Sequence, residues 1–115
     1  MPTQIVSEPI SRDDLRRIAE QQFGDFVKAV VDVQRRLMAI GAELHADEEA
    51  ILLQEGSRQA DLWGVNLYVD RFGDEFIEFD SMINVRPSQG NRSRDVEDPA
   101  AQRLIQDIVR SLVAA

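Results

Sequence analysis

The stretch FVKAVVDVQRRLMAIGAE, Phe26 to Glu43, decides what kind of fold this chain adopts. Phe26, Val30, Val33, Leu37 and Ile40 fit a helical stripe, whereas Val27, Ala29, Val31 and Val33 alternate as a strand would. The segment is rich in valine, whose branched Cβ suits a pleated surface. It is therefore read as two strands, about 27–33 and 37–43, turning at Gln34-Arg35-Arg36. That turn contains no Gly, Asn or Asp, so nothing in its own three residues explains the reversal.

Downstream, a second hairpin is written more plainly. Trp63, Val65, Leu67 and Val69 alternate with Gly64, Asn66, Tyr68 and Asp70. Ile77, Phe79, Ser81, Ile83 and Val85 alternate with Glu78, Asp80, Met82, Asn84 and Arg86, and Gly73 marks the connection. Setting Asp70 opposite Phe76 places Leu67 against Phe79, Trp63 against Ile83, Asn66 against Asp80 and Tyr68 against Glu78. A one-residue slip would move the apolar set to the wrong face. Pro87 lacks the N–H a ladder needs and ends the strand.

Helices flank these strands. Gln4 to Val6 reads as a short strand, and Ser11 as the N-cap of a helix with Leu15, Ile18, Ala19 and Phe23 on one side and Gly24 as its stop. Asp47 is expected to cap a short middle helix that ends at Gly56. Asp98-Pro99 starts a third helix, because Asp suits the N-cap and Pro the first turn. Its stripe runs through Ala101, Leu104, Ile105, Ile108, Val109, Leu112 and Val113. The fold class is α+β. A single domain, residues 1–115, holds an antiparallel sheet of four to five strands with helices on one face. Trp63, Leu67, Phe79, Ile83, Leu104, Ile108 and Leu112 are expected to share one core.

The composition narrows the function classes. A chain of 115 residues buries roughly two-thirds of its unfolded surface, enough for a core without staples. Cysteine is absent, which excludes disulfides and thiolate chemistry. No signal peptide is read at MPTQIVSEPISRDD, and no apolar run approaches the ~18 residues of a membrane helix. A cytoplasmic protein with no membrane partner is expected. The net charge of -8 argues against general binding to duplex nucleic acid.

Four stretches, VKAVVDV, GAELHADEEAILLQEGS, LWGVNLY and FIEFDSMINVRPSQGNRSR, together resemble a small bacterial family known only as a domain of unknown function. The last is the most specific. The resemblance covers nearly the whole chain and implies a bacterial cytoplasmic protein, with no activity, cofactor or site residue attached to it.

Three groups of residues carry possible chemistry. Arg86, Arg92 and Arg94 form a basic cluster within an acidic chain, interleaved with Ser88, Gln89, Asn91 and Ser93. Forked guanidinium donors and turn N–H groups would suit an anion or an acidic partner. The competing account is internal pairing with Asp80, Asp95, Glu97 or Asp98. Glu43, His45 and Asp47 would share one face if this stretch were a strand, a weak metal or acid–base set because His45 is the only histidine. Asn66, Tyr68, Glu78, Asp80, Asn84 and Arg86 form the polar face of the second hairpin, and would make a pocket if something covered it.

The leading expectation is a binding or regulatory module that meets an anionic ligand or acidic partner through the Arg86–Arg94 loop. The alternative is a metal-dependent hydrolase using Asp80 and Glu78 with Glu43, His45 and Asp47. A second alternative is a purely structural oligomer, and self-association through a sheet edge or the outer hairpin face is expected, because Asn84 to Arg86 would run past Trp63 unpaired. No Ser-His-Asp or Cys-His set is present, so the balance leans away from an enzyme, and no cofactor is expected.

Overall fold

The structure, a computed structural model, describes residues 3–114. In chain order the elements are β1 (Gln4–Val6), β2 (Ile10–Ser11), α1 (Arg12–Gln21), β3 (Phe26–Asp32), β4 (Leu37–Ile40), α2 (His45–Gln54), β5 (Leu62–Tyr68), β6 (Ile77–Glu78), α3 (Pro99–Leu112) and β7 (Val113–Ala114). Five strands form one antiparallel sheet in the order β1-β4-β3-β5-β6. The short β2 and β7 pair in parallel as a separate unit.

Residues 26–43 do form a hairpin. The reversal is held by a residue just before the turn: Asp32 Oδ1 accepts from the N–H groups of Gln34 and Arg35, both at 2.9 Å. Its other oxygen accepts from the Ser57 hydroxyl at 2.6 Å. Arg36 takes the left-handed conformation, φ 55°, that Gly or Asn would normally supply. The second strand is shorter than expected, because β4 stops at Ile40 and Gly41 turns away with φ 97°.

The helix caps follow the expected chemistry at two of three starts. Ser11 accepts from the Asp14 N–H at 3.0 Å, and Asp98 from the Ala100 N–H at 2.9 Å with Pro99 in the first turn. The third differs. Asp47 is not a cap, since α2 begins at His45 and its N-cap is Leu44, which has no side chain able to accept.

The second hairpin departs further. β6 is two residues long, and its register is Asn66 opposite Glu78 and Leu67 opposite Ile77. This is a shift of two from the expected pairing, so the faces survive while the partners change. Beyond Glu78 the expected strand is replaced by 3-10 turns at Met82–Asn84 and Pro87–Gln89. Ser81 caps the first of these by accepting from the Ile83 N–H at 3.2 Å. The Asn84 side chain then bonds both polar groups of Gly64, and its own backbone, expected to run past Trp63 unpaired, bonds Ser81 and Asn91.

The core lies on both faces of the sheet. On one face, Val27, Ala29, Val31, Val65, Leu67 and Val69 pack against Leu15 and Ile18 of α1 and Ile105, Ile108 and Val109 of α3. On the other, Val30, Leu37, Ala39 and Leu62 pack against Leu52 of α2. The middle helix therefore does not join the other two on one face. Trp63, Phe79 and Leu104 join the larger cluster as half-buried members, whereas Ile83 packs with the smaller one. The expected single core is split because the turn at Met82–Asn84 carries Ile83 to the α2 side.

Candidate functional site

α2 has ten residues and so spans only about 15 Å. It covers Val30, Ala39 and Leu62 but not the rest of that sheet face. Phe26 and Lys28 of β3, Asn66 and Tyr68 of β5 and Glu78 of β6 continue the same face beyond it. The result is a cleft of about 400 Å³ floored by these residues. Leu44, His45 and Ala46 at the start of α2 form one wall; Asp80 to Ile83 and Arg94 form the other.

The hydrogen bonds divide the cleft into satisfied and unsatisfied groups. Glu78 Oε1 accepts from Asn66 Nδ2 at 2.8 Å and from the Tyr68 hydroxyl at 3.2 Å. Partial burial and the Glu78 carboxylate both hold the Tyr68 phenol above its ordinary pKa. Arg94 Nε meets Asp80 Oδ1 at 2.6 Å. Lys28 makes no ion pair among the described residues, and its amine lies 5.2 Å from the Phe23 ring centre. Asn66, only 7% exposed, has its Oδ1 buried without a donor.

His45 stands at the first position of α2. Its Nε2 donates to the Val65 carbonyl at 2.8 Å, which fixes the neutral tautomer with the lone pair on Nδ1. Burial pushes its pKa below the ordinary value; the Val65 bond opposes this, while the Lys28 charge adds to it. Because Leu44 provides no cap, α2 opens with bare donors. The N–H groups of Asp47 and Glu48 reach the Leu44 carbonyl, while those of His45 and Ala46 find no acceptor among the described residues. These donors carry the positive end of the helix dipole beside Lys28 and Arg94.

The cleft thus gathers His45, Asn66, Tyr68, Glu78, Asp80 and Arg94 from all three sequence-predicted groups. The others lie elsewhere. Arg86 stacks on Trp63 at 4.3 Å and donates to the carbonyls of Gln59, Leu62 and Ile83, so its donors are committed to the chain itself. Burial lowers its pKa. Asn91 is buried and ties the loop together, donating to the carbonyls of Asn84 and Asp95 at 2.7 Å and accepting from the Glu97 N–H. The N–H groups of Arg92 and Ser93 and the Ser93 hydroxyl all bind Glu97 Oε2 at 2.6–3.0 Å. The loop's anion-binding nest therefore holds the chain's own carboxylate, whose pKa is lowered chiefly by the Ser93 hydroxyl. Ser88 and the Arg92 side chain are exposed. Asn84 is buried at the β5 edge and is structural.

Glu43 and Asp47 are exposed and do not line the cleft, because α2 starts at His45 and removes the period-two geometry that would have aligned the three. Among the described residues no group of three or more His, Cys, Asp or Glu is placed to hold a metal ion. Nor is any helix there long and apolar enough to cross a membrane.

Two features were missed in the sequence. Lys28, the only lysine, sits on a strand position whose neighbours Phe26 and Val30 are apolar, a signal of a polar patch on that face. Glu48 is completely buried behind Ala42, whose N–H it accepts at 3.2 Å, with its other oxygen unpartnered. Burial pushes its pKa up to about 9, so it is a neutral acid at pH 7. Nothing in the spacing of HADEEA distinguishes it from the exposed Asp47.

No curated protein and no solved structure matches the chain. A family model does match, over residues 4–112, and it spans the sheet, the three helices and the cleft described above. On that match the chain belongs to the family described as protein of unknown function (DUF5674).

Proposed function

We propose that this protein is a small-molecule binding module whose cleft takes a ligand bearing a compact anionic group, such as a phosphate or carboxylate. The observation that carries this reading is the uncapped start of α2: His45 and Ala46, whose N–H groups find no acceptor among the described residues, line the cleft with Lys28, a cation that makes no ion pair among those residues. A helix N-terminus with a nearby cation is a ready anion site. Arg94, already paired with Asp80, adds a forked donor set from the loop predicted to bind anions. Arg86 and Arg92 take no part in this reading, which moves the site from the loop to the cleft. Apolar Phe26, Leu44, Met82 and Ile83 would hold the remainder of the ligand.

Orthophosphate titrated into labelled protein tests the reading by amide chemical shifts. Saturable shifts are expected at His45, Ala46 and Lys28. Lys28→Gln should weaken them several-fold, and Arg92→Gln should leave them unchanged. Absence of saturable shifts at these amides would overturn the cleft, and loss of binding in Arg92→Gln would return the site to the loop.

A second reading is favoured by one observation. His45 keeps an unprotonated Nδ1 in a cleft that also holds Asp80 and Tyr68, a set suited to general acid–base chemistry without a metal. It predicts turnover of a bound ligand that disappears in His45→Gln while binding persists.

A further inference from the structure

The cleft carries apolar side chains that the fold leaves uncovered. Leu44, just before α2, and Met82, on the facing wall, are 55% and 65% exposed. Phe26, Ala46 and Ile83 line the same cleft. Lys28 stands on its floor, two residues along β3 from Phe26 and on the same face. It is half-buried and makes no ion pair among the described residues. The other charges of the cleft are engaged: Asp80 meets Arg94, and Glu78 accepts from Asn66 and Tyr68. Lys28 is thus the cleft charge left without a polar partner among the described residues. A half-buried cation beside uncovered apolar surface is complementary to a molecule that is anionic at one end and apolar along the rest.

We infer that the anion bound in the cleft is the carboxylate of an alkyl chain of medium length, and that the ligand class is a free fatty acid. The inference rests on the anion-binding reading above and adds the tail. The carboxylate would meet Lys28 on the floor. The chain would run between Leu44 and Met82 and cover both. An alkyl chain asks no hydrogen bond of the walls, and these two side chains offer none that is strong. A volume of about 400 Å³ lies toward the small end of the range of ligand pockets, which favours a medium chain over a long one. Each methylene taken out of water adds to binding, so affinity should rise with chain length.

Calorimetric titration with octanoate, acetate and 1-octanol, each below its solubility limit, tests this on the unaltered protein. Octanoate should bind roughly tenfold or more tightly than acetate, since a fully buried methylene is worth about fourfold and the chain is only partly enclosed. Methyl chemical shifts should report octanoate at Leu44 and Met82. Met82→Gln, at an exposed position, should weaken octanoate several-fold and leave acetate unchanged. Equal affinity for the two carboxylates, methyl shifts confined to other residues, or unweakened octanoate binding in Met82→Gln would overturn the tail and leave the anion reading standing. 1-Octanol binding as tightly as octanoate would overturn the anion reading, and with it this ligand class. No binding of any of the three would overturn this ligand class, with orthophosphate deciding separately whether the anion reading survives. The wild-type comparison decides even if Met82→Gln fails to fold.

Discussion

At Gly64 the edge of β5 is closed by a side chain: Asn84 accepts from the Gly64 N–H at 2.8 Å and donates to its carbonyl at 2.9 Å. The site admits no Cβ, because one built on Gly64 would lie 2.5 Å from Ser81 Oγ. Asn84→Ala removes these two bonds and a third, to the Arg94 carbonyl at 3.0 Å, in a buried place and should cost about 2–4 kcal/mol, read by urea unfolding. A loss near zero would mean that water replaces the amide. Glu48 makes a prediction with a definite sign. Its folded pKa, about 9, lies above the ordinary 4.5, so the folded state holds a proton that the unfolded state releases between these values. Stability is therefore fully present below pH 4.5 and falls as pH rises toward 9, by up to about 1.4 kcal/mol per unit. Glu48→Gln retains the acceptor for the Ala42 N–H and removes the ionisation. The variant should overtake the parent above pH 5, with the gap widening to pH 9, and parallel stability curves would show that Glu48 ionises freely in the fold.

The three helices differ in what holds them. α3 buries Ile105, Ile108, Val109 and Leu112 along one stripe and has a capped start, so its pattern and its packing agree. Ile108→Ala should lose about 2–5 kcal/mol, measured by urea unfolding. A loss under about 0.5 kcal/mol would place Ile108 at the surface. α2 lacks a cap and buries His45, Glu48 and Leu52, two of them polar. A helix so weakly supported by its own sequence is held by its place on the sheet. Its polar burial and its bare N–H groups are the features that make the adjacent cleft a candidate site. The hairpin of β3 and β4 illustrates the same point in a turn. Its residues lack turn chemistry, and the acceptor comes from Asp32 before the turn, braced by Ser57 from after α2.

At the scale of the whole molecule, β2 and β7 join the two ends of the described chain, with Ile10 opposite Val113 and Ser11 opposite Ala114. Val113 is also buried in the main core. Ending the chain after Leu112 should release β2, cost about 1–3 kcal/mol for the lost side chain, and speed hydrogen exchange at Ile10 and Ser11. Unchanged exchange there would mean that α1 alone holds the segment. Much of the architecture was legible in the residues. Alternation on β3 and β5, the Ser11 and Asp98 caps and the stripe of α3 are local signals, and local signals survive because backbone periodicity and capping depend on near neighbours. The face of each strand was legible too, since a shift of two residues in pairing leaves the faces unchanged. What only the tertiary structure decided depends on groups far apart in the chain. The Asn84–Gly64 bonds ended the last long strand, and the short reach of α2 left the sheet uncovered by a helix at Lys28, Asn66 and Tyr68. None of these follows from spacing, because a hydrogen bond between residues twenty apart is chosen by how the elements pack, not by the pattern within any of them.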